Sequence, residues 1–233
     1  MSLSSAQLQQ GYMVGALFPT KQAVAYIGAA YTAVSAGVAE VANLNILTEA
    51  SPLLIIENTA GSGGPSIVLD YVRIGATAIA ATSTDWQYSW KMDSIRGKWA
   101  SGGSALTPQN AHMGFANSSV ASVHFGALAV LLAQRSSNNA RTIAAGFLAP
   151  TATAPAVVLG DVANFRFGAE EAAESHTSND TASAGAHLHP LAYNVGIHTV
   201  VLPPGSTATL FMFNTTNTTQ TPSYELNMGW FEF

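Results

Sequence analysis

From Pro52 to Phe233 the chain is cut into strand-length apolar runs by clusters of Gly, Pro, Ser, Thr and Asn, a punctuation that points to a β fold. Leu53-Leu-Ile-Ile56 ends near Asn58 and is followed by the turn Ala60-Gly-Ser-Gly-Gly-Pro65. Ile67–Ile74 is rich in β-branched residues and apolar on both faces, as in a central strand of stacked sheets. Trp86, Tyr88 and Trp90 alternate with Gln87, Ser89 and Lys91, which puts three rings on one strand face. Val120–Leu132, Ala140–Leu148, Val157–Leu159, Phe165–Phe167 and Ile197–Leu202 are further strand candidates. In Pro203-Pro-Gly205 the proline presets a negative φ and the glycine supplies a positive one, so a tight turn leads into Ala208–Phe213. In the last strand Tyr224, Leu226, Met228 and Trp230 share a face, while Phe231 and Phe233 fall on the other. Either both faces are covered there or a bulge at Gly229 shifts the register.

About eight to ten such strands, irregularly spaced, suit an all-β fold: a two-sheet antiparallel sandwich of jelly-roll type with an N-terminal arm. An immunoglobulin-like sandwich is the alternative, although it uses fewer strands and about 100 residues. No segment repeats with a fixed period, which argues against propellers and solenoids. Residues 1–50 are expected to form the arm, an assembly segment, and residues 51–233 the sandwich. Glu170–Gly185 is the one long polar stretch and reads as an exposed loop.

Charge is scarce. Asp, Glu, Lys and Arg make up 9% of the 233 residues, against about 25% in typical soluble domains. A surface of small neutral polar groups is easier to desolvate than a charged one, and interface cores are depleted in Lys, Glu and Asp. The expectation is a protein that packs against copies of itself or against partners. The deficit is deepest at the start, where Lys21 is the only charged residue before Glu40. Leu3, Leu8, Tyr12, Leu17, Phe18, Tyr26 and Tyr31 supply large apolar groups in that arm and are the expected interface residues.

Several functions are disfavoured. Eight basic residues scattered along a chain of net charge −5 make no basic stripe, so direct nucleic-acid binding is not expected. Ala23–Ala39 lacks charge, but it is short and made largely of Ala, Gly, Ser and Thr, so it is read as a packed segment and not a membrane span. The absence of cysteine removes disulfides, thiolate catalysis and Cys-based zinc sites. There is no G-x-S-x-G elbow. Adjacent Glu170 and Glu171 would point to opposite faces of a strand. Gly61-Ser-Gly-Gly64 lies between strand candidates and not before a helix. No catalytic residue, cofactor or enzymatic activity is expected.

Two constellations come nearest to a site. His187-Leu-His189 would put two imidazoles on one strand face, and these are the candidate metal ligands. The pair resembles the H-x-H of cupins, but the Glu that follows it there is absent from Pro190-Leu-Ala-Tyr-Asn194. A catalytic metal would want three protein ligands, and loop histidines at a subunit contact are the competing explanation. Trp86, Tyr88 and Trp90 form a candidate glycan platform, against their commoner use as core or interface anchors.

Leu53–Ile56, the Gly/Pro turn into Ile67–Ile74, Leu202-Pro-Pro-Gly205 and the aromatic strand Tyr224–Phe233 together resemble a single jelly-roll virion protein. With the uncharged arm, the chain resembles the capsid cement or decoration proteins of tailed bacteriophages, or small jelly-roll capsid proteins. The resemblance implies a non-enzymatic structural protein on the capsid surface of a virion, made in the host cytoplasm. It implies a homo-oligomer, with a trimer favoured, and a major capsid protein as partner. A small jelly-roll major capsid protein is an alternative within this reading, a carbohydrate- or receptor-binding sandwich of a phage tail or cell surface is the second reading, and a cupin-like metalloenzyme the third.

Overall fold

The computed structural model describes residues 20–35, 40–41, 51–78, 86–130, 140–149, 160–168, 192–213 and 223–233. Helix α1 (Thr20–Tyr26) precedes the strands β1 (Ala30–Val34), β2 (Glu40–Val41), β3 (Leu54–Asn58), β4 (Ile67–Ala78) and β5 (Trp86–Asp93). Then follow β6 (Trp99–Leu106), β7 (Gln109–Asn110), β8 (Ala121–Val130), β9 (Arg141–Ala149) and β10 (Val162–Phe167). The last are β11 (Ala192–Ile197), β12 (Val201–Leu202), β13 (Thr207–Phe213) and β14 (Ser223–Glu232).

The strands form two sheets packed face to face, an all-β sandwich. The first sheet runs β11-β10-β4-β14-β1-β7, with β12 beside β4 and β2 beside β14. The second runs β6-β8-β3-β13-β5-β9. Four antiparallel pairs nest inside one another: β6 with β8, β5 with β9, β4 with β12, and β3 with β13. Such nesting is that of one long hairpin wrapped into two layers, which makes the sandwich jelly-roll-like. The β6–β8 hairpin lies beyond β3 at the edge of the second sheet.

The core follows from the side-chain alternation. On β14, Tyr224, Leu226, Met228 and Trp230 all point inward and are almost wholly buried. On β4 the inward residues are Ile67, Leu69, Val72 and Ile74. The step from Leu69 to Val72 breaks the alternation because the register shifts there. Gly229 pairs with Tyr71 but Trp230 pairs with Leu69, so Asp70 has no opposite number on β14. The irregularity falls beside Gly229, but the extra residue is on β4, and β14 itself keeps its alternation through Trp230. Trp230 lies in the core by that alternation and stacks on Tyr31 at 6.1 Å.

Three features depart from expectation. First, β1 belongs to the segment read as an arm, yet it is an internal strand of the first sheet, paired with β14 over five residues and with β7 on its other side. The described part of that segment is built into this chain's own sandwich. Second, β10 and β11 run parallel, alone among the described pairs. Third, β6 is a strand although its Trp-Ala-Ser-Gly-Gly-Ser-Ala-Leu has no apolar period. The reason is its edge position: one face and one edge need no burial, and Gly102 takes φ 80° where a β-carbon would meet Ala127 O at 2.2 Å. Val157–Leu159 and Glu170–Gly185 lie outside the described residues.

Candidate functional site

The three aromatic residues read as a glycan platform are core anchors. Trp86, Tyr88 and Trp90 retain 1%, 7% and 0% of their exposure. They project from β5 between the sheets and interlock with the first sheet. Trp86 stacks on Tyr224 at 5.8 Å and meets Tyr193 edge-on at 5.6 Å; Trp90 meets Phe165 and Phe167 at 5.6 and 5.2 Å. No ring face is left for a sugar. Burying an aromatic ring removes roughly 150–250 Å² from water, worth about 4–6 kcal/mol before entropy, so the inward rotamer wins.

Tyr31 is likewise corrected. It is 8% exposed and part of the core, so among the expected contact residues it holds the chain's own sheet and not a neighbour. Tyr26 is 61% exposed and available for contact. Leu3, Leu8, Tyr12, Leu17 and Phe18 lie outside the described residues, as do His187 and His189. Among the described residues no three His, Asp or Glu side chains converge as a metal site would require, and no helix is long and apolar enough to cross a membrane.

Asp93 and Lys98 form a largely buried ion pair. The Lys98 N–H donates to Glu57 Oε1 at 2.7 Å, and Thr207 Oγ1 donates to Ile95 O at 2.6 Å. The loop between β5 and β6 is thereby strapped over the outer face of the second sheet. Nearby, Trp99 stacks on His124 at 4.2 Å. The bonds from Lys98 and Thr207 fix the loop and are a structural use, while the buried His124 Nδ1 has no hydrogen-bond partner among the described residues.

Two exposed features remain, one at each end of α1. The first is an apolar knuckle. Residues 111–115 follow β7 and fold against the end of α1. The loop is tied down by three polar contacts: Asn110 Nδ2 donates to Gly28 O at 2.8 Å, the His112 N–H to Asn110 Oδ1 at 2.8 Å, and the Gly114 N–H to His112 Nδ1 at 3.0 Å. Gly28 has φ 73° and the Phe115 ring lies directly on it, since a β-carbon there would be 2.5 Å from that ring. His112 sits between Tyr26 (6.0 Å) and Phe115 (4.9 Å). The knuckle leaves Tyr26, Ile27, Phe115 and a fully exposed Met113 facing solvent.

The second is a cleft of about 810 Å³ on the outer face of the first sheet, lined by Lys21, Asp70, Tyr71, Arg73, Asn164, Arg166 and Gly168 among others. Two rows of residues in register run beneath and beside it. One row is Asn194, Asn164, Arg73 and Asn227; the other is Gly196, Arg166, Tyr71 and Gly229. Asn164 Nδ2 donates to Asn194 Oδ1 at 3.1 Å, and the Tyr71 hydroxyl donates to Asn227 Oδ1 at 3.0 Å. Partial burial and the negative Asp70 push the Tyr71 pKa up, so the phenol stays neutral and keeps donating. Lys21 and Asp70 pair with each other. Among the described residues neither Arg73 nor Arg166 has a side-chain hydrogen bond or ion pair.

Sequence reasoning missed both arginines. A signal existed: Tyr71-Val-Arg73 and Asn164-Phe-Arg166 each carry an outward arginine two residues from an outward polar group, with a core residue between them. Their meeting depends on a pairing across some ninety positions of chain that no local pattern announces. Neither a family model, nor a curated protein, nor a solved structure matches the chain.

Proposed function

We propose that this protein is a non-catalytic structural unit of a larger assembly, and that the Tyr26–Phe115 knuckle is one of its contacts. The observation that carries the reading is the exposed apolar group Tyr26, Ile27, Met113 and Phe115 on a loop already fixed by its own hydrogen bonds. Exposed apolar clusters on soluble chains mark interaction sites. A rigid loop loses little entropy when it docks, which favours anchors of this kind. The low charge content supports the same reading, because it leaves little to desolvate around the anchors.

The jelly-roll-like nesting is compatible with a virion protein, and the virion setting itself rests on the sequence resemblance. In that setting the protein is a cement or decoration protein that braces a major capsid protein, as a homo-oligomer with a trimer favoured. Light scattering on the isolated protein tests the assembly reading. The wild type is expected to be oligomeric, and Met113→Asp with Phe115→Ser to reduce its size without lowering its melting temperature. A wild type that stays monomeric at high concentration overturns the reading.

A further inference from the structure

We propose that the cleft between β4 and β10 on the outer face of the first sheet binds a saccharide that carries a carboxylate. The inference is independent of the assembly reading and uses a different surface.

Its volume of about 810 Å³ falls within the roughly 300–1,000 Å³ of small-ligand sites. The charge placement is the main observation. The chain has eight basic residues and net charge −5, yet three of the eight line this one cleft, with Asp70 as the only acid among the lining residues. Asp70 is taken by Lys21. Arg73 lies opposite Asn164 and Arg166 opposite Tyr71, so the two arginines are diagonal neighbours on one face. Such neighbours are about 7–8 Å apart at the backbone, within reach of one shared anion for side chains this long. Two guanidiniums side by side repel, and a bound anion removes that cost. Glu225, on the same face, stands opposite Gly75 one row further on and borders the cleft without lining it.

The remaining groups select a sugar. The half-buried Tyr71 ring leans over Gly229 on β14 and lines the cleft, where an aromatic ring can pack on the C–H face of a pyranose. Next to Arg166 on β11 is Gly196, which leaves that floor low. The Asn164–Asn194 hydrogen bond uses one donor and one acceptor, leaving the Asn194 amide N–H groups and Asn164 Oδ1 for ring hydroxyls. Planar guanidinium matches carboxylate through paired hydrogen bonds. Compact phosphate sites usually draw on backbone N–H groups at a helix start or a glycine-rich nest, whereas this floor is strand backbone paired within the sheet.

The test is titration calorimetry on the full chain with a uronate trisaccharide and a sialyl trisaccharide. The controls are a neutral galactose trisaccharide, inorganic phosphate and a single-stranded DNA oligonucleotide. At least one carboxylated sugar is expected to bind, more weakly as salt rises. Arg73→Gln and Arg166→Gln are each expected to weaken it about tenfold or more, in line with loss of a charge-assisted hydrogen bond. Tyr71→Ala is expected to weaken it while salt dependence persists. Melting curves and particle size of the arginine variants are expected to match wild type, since both side chains are exposed. No binding by either carboxylated sugar, equal binding of the neutral one, tighter binding of phosphate or DNA, or indifference to both arginine variants would overturn the proposal.

Discussion

Tyr71 and Gly229 face each other where β4 and β14 shift register, and a β-carbon on the glycine would lie 2.5 Å from the tyrosine ring. The ring cannot simply swing aside, because its hydroxyl is held by Asn227 at 3.0 Å. Gly229→Ala is therefore expected to break that hydrogen bond and to destabilise the protein by about 1–3 kcal/mol, the usual cost of overpacking. Urea unfolding measures the cost. A variant as stable as wild type would mean that the ring has a second resting place.

Trp90 is expected to matter for folding and not for binding. Its side chain is fully buried and meets Phe165 and Phe167 edge-on. Trp90→Ala is expected to cost about 3–5 kcal/mol, read as a lower urea midpoint. Retained stability would contradict the packing described above.

Asn58 joins three parts of the chain. Its Nδ2 donates to Pro65 O and Leu202 O, each at 2.9 Å, and its Oδ1 accepts from the Ala60 N–H at 3.0 Å. Asn58→Ala leaves these buried groups without partners, at about 2–4 kcal/mol. Asn58→Asp is expected to be at least as damaging, because a carboxylate oxygen would then face two carbonyl oxygens. Thermal melts of the two variants check the order; an aspartate variant more stable than the alanine one would refute it.

His124 makes stability depend on pH. Burial holds its pKa below the ordinary value, with the negative Glu57 pulling less strongly the other way. Above about pH 6.5, the unfolded value, both states are neutral and the contribution is complete. As pH falls below that, the unfolded chain takes up the proton first, so stability drops until the folded imidazole is protonated too. Wild type is expected to lose more melting temperature between pH 7 and pH 5 than His124→Gln. Parallel curves would show that the histidine is not the cause.

Much of the fold could be read in advance because the relevant strands are buried on at least one face. The inward rows of β5 and β14 show as Trp86, Tyr88, Trp90 and as Tyr224, Leu226, Met228, Trp230. The bulge residue, Asp70, lies on β4, and the parity of Phe231 on β14 did not announce it. What stayed hidden lacks a burial signal or depends on distant pairing. β6 is an edge strand of small residues, most of them exposed. β10 and β11 are joined in parallel, and parallel neighbours share no local turn signature. The cleft is hidden for the same reason: Arg73 and Arg166 become neighbours only through the β4–β10 register. The knuckle left a faint trace, Met113-Gly-Phe115 among polar residues, but two isolated apolar side chains do not separate a surface anchor from a small core contact.

The position of β14 has a consequence for how the protein is made. It follows every other strand in the chain, yet it sits in the middle of the first sheet between β4 and β1. β13, nearly as late, occupies the same place in the second sheet between β3 and β5. Until β13 and β14 have been made, both layers lack these central members, and β1, β3, β4 and β5 wait with open edges. Unpaired edges on a growing chain invite association with other chains. Folding is therefore expected to be a single late event, completed only when β14 emerges, and nascent chains stalled before that point should be held by chaperones or lost to aggregation.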